Sequence, residues 1–310
     1  MTSLPDLRDR FRGALLGLAA GEALGAPAEF LSADQIAERF GVIADILGGG
    51  CYDVAPGQTT DATDMTLCLA ESLVERGDHD PEDVMRRYRD WFESRPPDVS
   101  LTVRTVLLSY RAGTPWDLAS RRAWEILGHP VAGNGSLMRC APLALRFRAD
   151  PERLRVAAKQ ESMLTHFDAL AGWACVAYCD LLVAALDGGL RERLPDLAGE
   201  LVDEDRRVST ALLEAAVAEP EEVHNSAFVV DSLRTALWAV LRAATFEEAV
   251  CTVVNLGDDA DTVGAITGAL AGALHGETEI PARWLAPLAA RERLTVVADR
   301  LAELSMGAAT

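Results

Sequence analysis

Two rows of glycine, one near each end of the chain, restrict this sequence more than any other feature. Gly13, Gly17, Gly21 and Gly25 recur every fourth residue, and so do Gly264, Gly268, Gly272 and Gly276. On an α-helix that spacing puts each row on nearly one face. A glycine inside a helix costs about 1 kcal/mol relative to alanine, so each row needs a packing reason. The two rows are predicted to supply it for each other, as helices over roughly 5–25 and 259–276 packed antiparallel with their backbones in close approach. Small-residue stripes of this kind also join helices in membranes, but Glu22 and the short apolar length argue against a span here.

What lies at the ends of these helices carries chemistry. The second row opens with Asp258, Asp259, Asp261 and Thr262 and then runs uncharged to His275. A helix N-terminus favours carboxylates, but a group this dense asks for cations as well. It reads as half of a metal site or as a capped helix with a solvated acidic turn. The first row runs into GAPAEF, and antiparallel packing would bring its Glu29 to the start of the other helix, beside Asp259. A second acidic, hydroxyl-bearing helix start, Thr59 to Asp64, precedes MTLCLAESLVERG. Alone it is an N-cap signal; beside the first it suggests a shared site. Gly133-Asn134-Gly135-Ser136 is predicted to be a turn feeding a helix from Ser136 to about Phe147. Such a start offers free N–H groups to an anion, although a tight turn with a serine cap reads the same way. His166 falls at a helix junction, where it either caps or packs, or faces a ligand. Residues 187–225 are charged and irregular and offer no chemistry.

The chain has 310 residues, 49% of them hydrophobic, with no useful strand alternation and no linker, which predicts one all-α domain over residues 1–310. No GxGxxG, P-loop or GxSxG pattern occurs. A net charge of −19 argues against a nucleic-acid backbone as partner. Six cysteines without a CxxC pair fit a reducing cytoplasm. The N-terminus lacks a signal-peptide pattern, and the apolar runs fall short of the ~20 residues of a membrane span.

Four blocks in order, GALLGLAAGEALGAPAEF, TTDATDM, GNGSLMRCAPLAL with THFDALAGWA, and NLGDDADTVGAITGALAG, resemble the ADP-ribosylglycohydrolase family, which includes the dinitrogenase-reductase-activating glycohydrolases. The resemblance spans nearly the whole chain. It implies an orthogonal all-α bundle with two divalent cations, Mg²⁺ or Mn²⁺, that removes ADP-ribose from an ADP-ribosylated protein, at arginine above all, or from a small conjugate. Carried over by position, Glu29, Thr60, Asp61, Asp259, Asp261 and Thr262 would be the metal ligands, with Asp261 bridging. Glu29, Asp61 and Asp98 would serve catalysis, Asp98 facing the scissile bond. Gly133, Asn134, Gly135 and Ser136 would hold the diphosphate, with His166 and Asp168 near the ADP-ribose. Three positions depart from the family pattern. Asp258 replaces a more usual glycine and Glu22 a more usual aspartate. Ala62 stands where relatives have a second aspartate after Asp61, and its Cβ is expected to face the acidic cluster. That alanine marks an impaired or binding-only relative, or the replacement of a metal-binding aspartate; a purely structural protein fits the intact Asp259-Asp261-Thr262 set poorly.

Overall fold

Helix boundaries follow local signals along a computed structural model that describes residues 6–129 and 132–307. α1 (Leu7–Gly25) opens at Asp6, whose carboxylate accepts the Asp9 N–H at 2.8 Å. α2 (Ala33–Phe40) starts with a capping box between Ser32 and Gln35. α3 (Asp61–Arg76) has no cap from its own first residue. α4 (Pro81–Glu93) is capped by Asp80 and α5 (Leu101–Arg111) by Ser100, and α6 (Trp116–Ile126) follows. The next three are α7 (Ala141–Phe147), α8 (Pro151–Met163) and α9 (Ala169–Asp187), the last two capped by Asp150 and Asp168. Then come α10 (Leu190–Leu201), α11 (Arg206–Val217), α12 (Val229–Arg242) and α13 (Phe246–Val254). The chain closes with α14 (Ala260–His275), α15 (Ala282–Leu285) and α16 (Arg291–Gly307). The described residues contain no strand, only three isolated bridges.

The glycine rows meet as predicted. α1 and α14 run antiparallel in the most extensive helix contact of the molecule. A Cβ on Gly17 would lie 2.3 Å from the Gly268 carbonyl oxygen, and one on Gly21 would lie 2.0 Å from that of Gly264. The relation is mutual, since a Cβ on Gly272 would stand 1.9 Å from the oxygen of Gly13. These contacts are backbone on backbone and leave no room for a side chain. α13, α12 and α9 pack around α14, while α16 packs on α1.

α9 is long and apolar enough to cross a membrane by length and composition, with mean hydropathy 1.8, so the sequence-based statement about apolar runs needs correction for this helix. It serves as a core helix here, with 83% of that stretch buried against the other elements. The helix expected from Ser136 also differs. Leu137 and Met138 both donate their N–H to the Asn134 carbonyl, at 2.8 and 3.1 Å, which curls the chain into a turn. The α-helix begins at Ala141, with Pro142 in its first turn.

The seam yields a stability test. Gly268→Ala is expected to destabilise the fold by about 3 kcal/mol or more, because backbone cannot yield as a side chain does. Gly199, in α10 with nothing within 4 Å of its would-be Cβ, serves as the control. Gly199→Ala is expected to stabilise by about 0.4–1 kcal/mol. Urea midpoints of the two variants measure the contrast.

Candidate active site

The acidic cluster is assembled by two loops stitched together at one end of the seam. The Phe30 N–H donates to the Asp258 carbonyl at 2.8 Å, and the Asp258 N–H to that of Leu31 at 2.7 Å. Phe30 and Asp258 both take left-handed backbone, with φ of 62° and 52°, a conformation that costs on the order of 1 kcal/mol and persists where surrounding structure enforces it. Gly257 must be glycine: its φ is 78°, and a Cβ there would sit 2.1 Å from the Leu31 oxygen. The result is that carboxylate oxygens of Glu29, Asp259 and Asp261, all buried, lie within 4.8 Å of one another. Asp259 begins α14 without spending its side chain on a cap. Thr262 donates through its backbone N–H and hydroxyl to Asp261 Oδ1, at 2.5 and 3.2 Å.

The start of α3 is capped from outside, by a residue whose role the sequence did not reveal. Glu22, in the last turn of α1, accepts the N–H groups of Thr60, Ala62 and Thr63 at 3.1, 3.0 and 3.2 Å. It also accepts the hydroxyls of Thr60, at 2.8 Å, and of Thr63. This carboxylate thus takes the place of the cap expected from within Thr59 to Asp64, and Asp61 is left on the cleft lining. Thr60 itself is buried against Glu22 and does not line the cleft. Ala62 corrects an expectation: it is 1% exposed and belongs to the hydrophobic core, away from the cleft wall.

The cleft has a volume of about 620 Å³. Glu29, Asp61, Asp259, Asp261 and Thr262 form one side, with Asp98 and Tyr52 close by, and Gly133, Asn134, Gly135 and His166 form another. Asn134 joins the two sides, its amide donating to Asp259 Oδ2 at 2.7 Å and to Ser232 Oγ at 2.9 Å. Like Thr60, two more predicted site residues are turned to other uses. Ser136 is fully buried, its hydroxyl 2.9 Å from that of Ser162. Asp168 caps α9 by accepting the Leu170 N–H at 2.9 Å, and it lines a small side pocket rather than the main cleft. Conversely, Asn225, the last residue of a stretch that seemed empty of chemistry, lines the cleft together with Ser226 and Ala227. Asn225 donates to the carbonyls of Val253 and Gly257, both at 2.8 Å, and so braces the loop before Asp258. The only sequence signal was an Asn-Ser pair just before an amphipathic helix.

Comparison with known proteins decides what this cleft belongs to. The ADP-ribosylglycohydrolase family model matches residues 3–309. The chain is 35% identical to the ADP-ribosyl-[dinitrogen reductase] glycohydrolase of Rhodospirillum rubrum, over 92% of each chain. It is 34% identical to the ADP-ribosylarginine hydrolase Tri1 of Serratia proteamaculans, over 94% of this chain and 79% of that one. A solved structure of an ADP-ribosylglycohydrolase-related protein complex superposes with a TM-score of 0.82 at 38% identity, covering 97% of this chain and 99% of that one. The chain belongs to the ADP-ribosylglycohydrolase family. It is a glycohydrolase.

The electrostatics of this glycohydrolase are those of a site short of positive charge. Burial, then Asp261 and Asp259, push Glu29 up to about 12. Burial and Asp259 push Asp261 up to about 8. Asp61 is held well above the usual carboxylate range by burial, Asp98 and Asp261. Burial also raises Asp98, against the pull of the Tyr52 hydroxyl. The leading influences on Glu29, Asp61 and Asp261 beyond burial are other carboxylates, so the cluster must hold protons or cations. Hard oxygen donors gathered this closely fit a divalent cation of the magnesium or manganese type.

A carboxyl whose pKa is higher in the folded chain keeps its proton longer there than in the unfolded chain. Its contribution to stability is complete below the unfolded value, about 4, and is lost as pH rises through the folded value. For Glu22, pushed up to about 7 mainly by burial, and for Asp261 at about 8, that window runs from pH 4 to 8. In chelator, urea unfolding is therefore expected to show stability from this cluster declining over that range. Millimolar Mn²⁺ or Mg²⁺ is expected to flatten the decline.

Proposed function

We propose that this glycohydrolase hydrolyses the glycosidic bond between ADP-ribose and a protein side chain, arginine foremost, and that it works with two divalent cations, Mg²⁺ or Mn²⁺. The observation that carries this reading is the convergence of Glu29, Asp259 and Asp261 within 4.8 Å, in one cleft with Asp61, Asp98 and His166. Relatives named for ADP-ribosyl-dinitrogen reductase and ADP-ribosylarginine support the acceptor class. Free cysteines throughout the chain suit a cytoplasmic setting.

Glu29, Asp61, Asp259, Asp261 and Thr262, which share the cleft, would hold the cations. When bound, such ions supply charge for ribose oxygens and lower the pKa of a water. Asp98 stands outside the cluster of three but on the cleft wall, where its carboxylate can take a proton from an incoming water. Asn134 keeps Asp259 oriented through the 2.7 Å amide contact. Gly133 and Gly135, free of side chains, let a diphosphate approach the loop backbone, and His166 closes that side.

A second reading is an ADP-ribose-binding protein without turnover; Ala62, packed in the core away from the cleft, gives it no support. The experiment follows ADP-ribose release from an ADP-ribosylarginine protein with millimolar Mg²⁺ or Mn²⁺ and with chelator. Release is expected with the cations and is expected to be lost in chelator. Ala62→Asp is expected to destabilise the fold without raising the rate, because it would bury a carboxylate in the core rather than bring one to the cleft. A faster Ala62→Asp chain would return position 62 to the metal site. Absence of release from both, with ADP-ribose still bound, would establish the binding-only reading.

A further inference from the structure

The wall opposite the carboxylates is held by a buried hydrogen-bond relay that the reaction scheme above does not use. Arg139 is fully buried. Its Nε donates to Glu161 Oε1 at 2.9 Å, and its Nη1 donates to the Gly135 carbonyl at 2.8 Å. Its Nη2 donates to the Glu161 carbonyl at 3.2 Å and to Thr165 Oγ1 at 2.9 Å. Tyr88 donates to Glu161 Oε1 at 2.7 Å, and His79 Nε2 lies 3.0 Å from Oε2, completing the surroundings of the carboxylate. Thr165 Oγ1 in turn lies 2.8 Å from His166 Nδ1.

The proton positions follow from the donor inventory. A guanidinium has donors only, so Thr165 Oγ1 accepts from Arg139. The Thr165 hydroxyl keeps one proton, and His166 Nδ1 is the one other partner of that oxygen among the described residues. Thr165 is 1% exposed, and a buried hydroxyl proton left without an acceptor carries a desolvation penalty. The hydroxyl therefore donates to Nδ1. A neutral imidazole that accepts at Nδ1 carries its proton on Nε2. That edge of the ring lies over the glycine turn: a Cβ on Gly135 would be 3.3 Å from Nε2, and one on Gly133 would be 3.4 Å from it. Among the described residues Nε2 has no hydrogen-bond partner, and His166 lines the cleft.

We propose that Arg139 and Thr165 are positioning residues that fix His166 as the Nε2–H tautomer, so that it donates to an oxygen acceptor on the bound ligand. The same guanidinium holds the Gly135 carbonyl, so the donor and the turn beneath it are set by one buried side chain. Burial and the charge of Arg139 lower the His166 pKa to about 3, which keeps the ring neutral throughout the working range. The acceptor it selects is a phosphate or ribose oxygen, and that part rests on the ADP-ribose reading given above.

Long-range proton–nitrogen NMR of the histidine rings in the free, full-length chain tests the tautomer without any ligand. His166 is expected to show a protonated Nε2 and an unprotonated Nδ1, unchanged from pH 5 to 8. Thr165→Val, close in shape but without the hydroxyl, is expected to give a mixed or reversed tautomer and about tenfold weaker binding of ADP-ribose. Thr165→Ser is expected to restore both, which a merely structural role for the methyl group would not produce. A protonated Nδ1 in the unsubstituted chain would overturn the proposal, as would a Thr165→Val chain with the same tautomer and affinity. If the unsubstituted chain shows the expected tautomer but binds no ADP-ribose, the functional reading fails while the relay stands.

Discussion

The seam between α1 and α14 is made of backbone, and the functional positions take their places from it. Where side chains separate two helices, their surfaces can slide and repack. Here carbonyl oxygens occupy the space that any Cβ would need, so register and distance are both fixed. Glu29 follows α1 after the single turn Ala26–Ala28 and Asp259 precedes α14 directly, so the fixed register carries over to the carboxylates. Glu22 extends the same control sideways, since it stands on α1 and holds the first turn of α3.

The molecule buries charge in two ways. In the relay behind His166, Arg139 faces Glu161, and the carboxyl of Glu161 is held below its ordinary value despite complete burial, chiefly by Arg139. The Arg139 and Glu161 side chains are both fully partnered, and a buried pair of this kind holds shape more than it adds stability. In the acidic cluster, the charges that act most on Glu29, Asp61 and Asp261 are other carboxylates, Asp98 and Asp259 among them, and all three are raised. One wall is complete within the protein itself. The other is built to be completed by something positive.

Much of this was legible in the sequence for physical reasons that differ from residue to residue. Glycine spacing is a property of the backbone, so four-residue rows at both ends announced the seam, its direction and the meeting of Glu29 with Asp259. Helix starts such as those after Ser32, Asp80 and Asp150 rest on local caps and can be read from a few neighbouring residues. The role of Glu22 cannot, because its partners at 60, 62 and 63 become neighbours only in the folded chain. Ser136 and Asp168 show a further limit: a hydroxyl or carboxylate beside a turn suits a ligand or the protein's own hydrogen bonds equally, and here the protein takes both. Ala62 looked like part of the cleft by position, but the first turn of α3 points that side chain into the core. Asn225 was hidden in a charged stretch because only the returning chain brings it to the Asp258 loop.

The hydrogen bond from the Asp261 N–H to Glu29, at 3.4 Å, spans 232 residues of sequence. During synthesis the glycine face of α1 emerges early, while its partner emerges near the end. Closing so long a loop costs more entropy than closing a short one, and contacts of such sequence separation slow folding. Until α14 arrives, α1 has no surface shaped to its glycines, and the carboxylates have not been brought together. A nascent or truncated chain that lacks the last sixty or so residues thus has no assembled acidic cluster, however well its middle helices have packed.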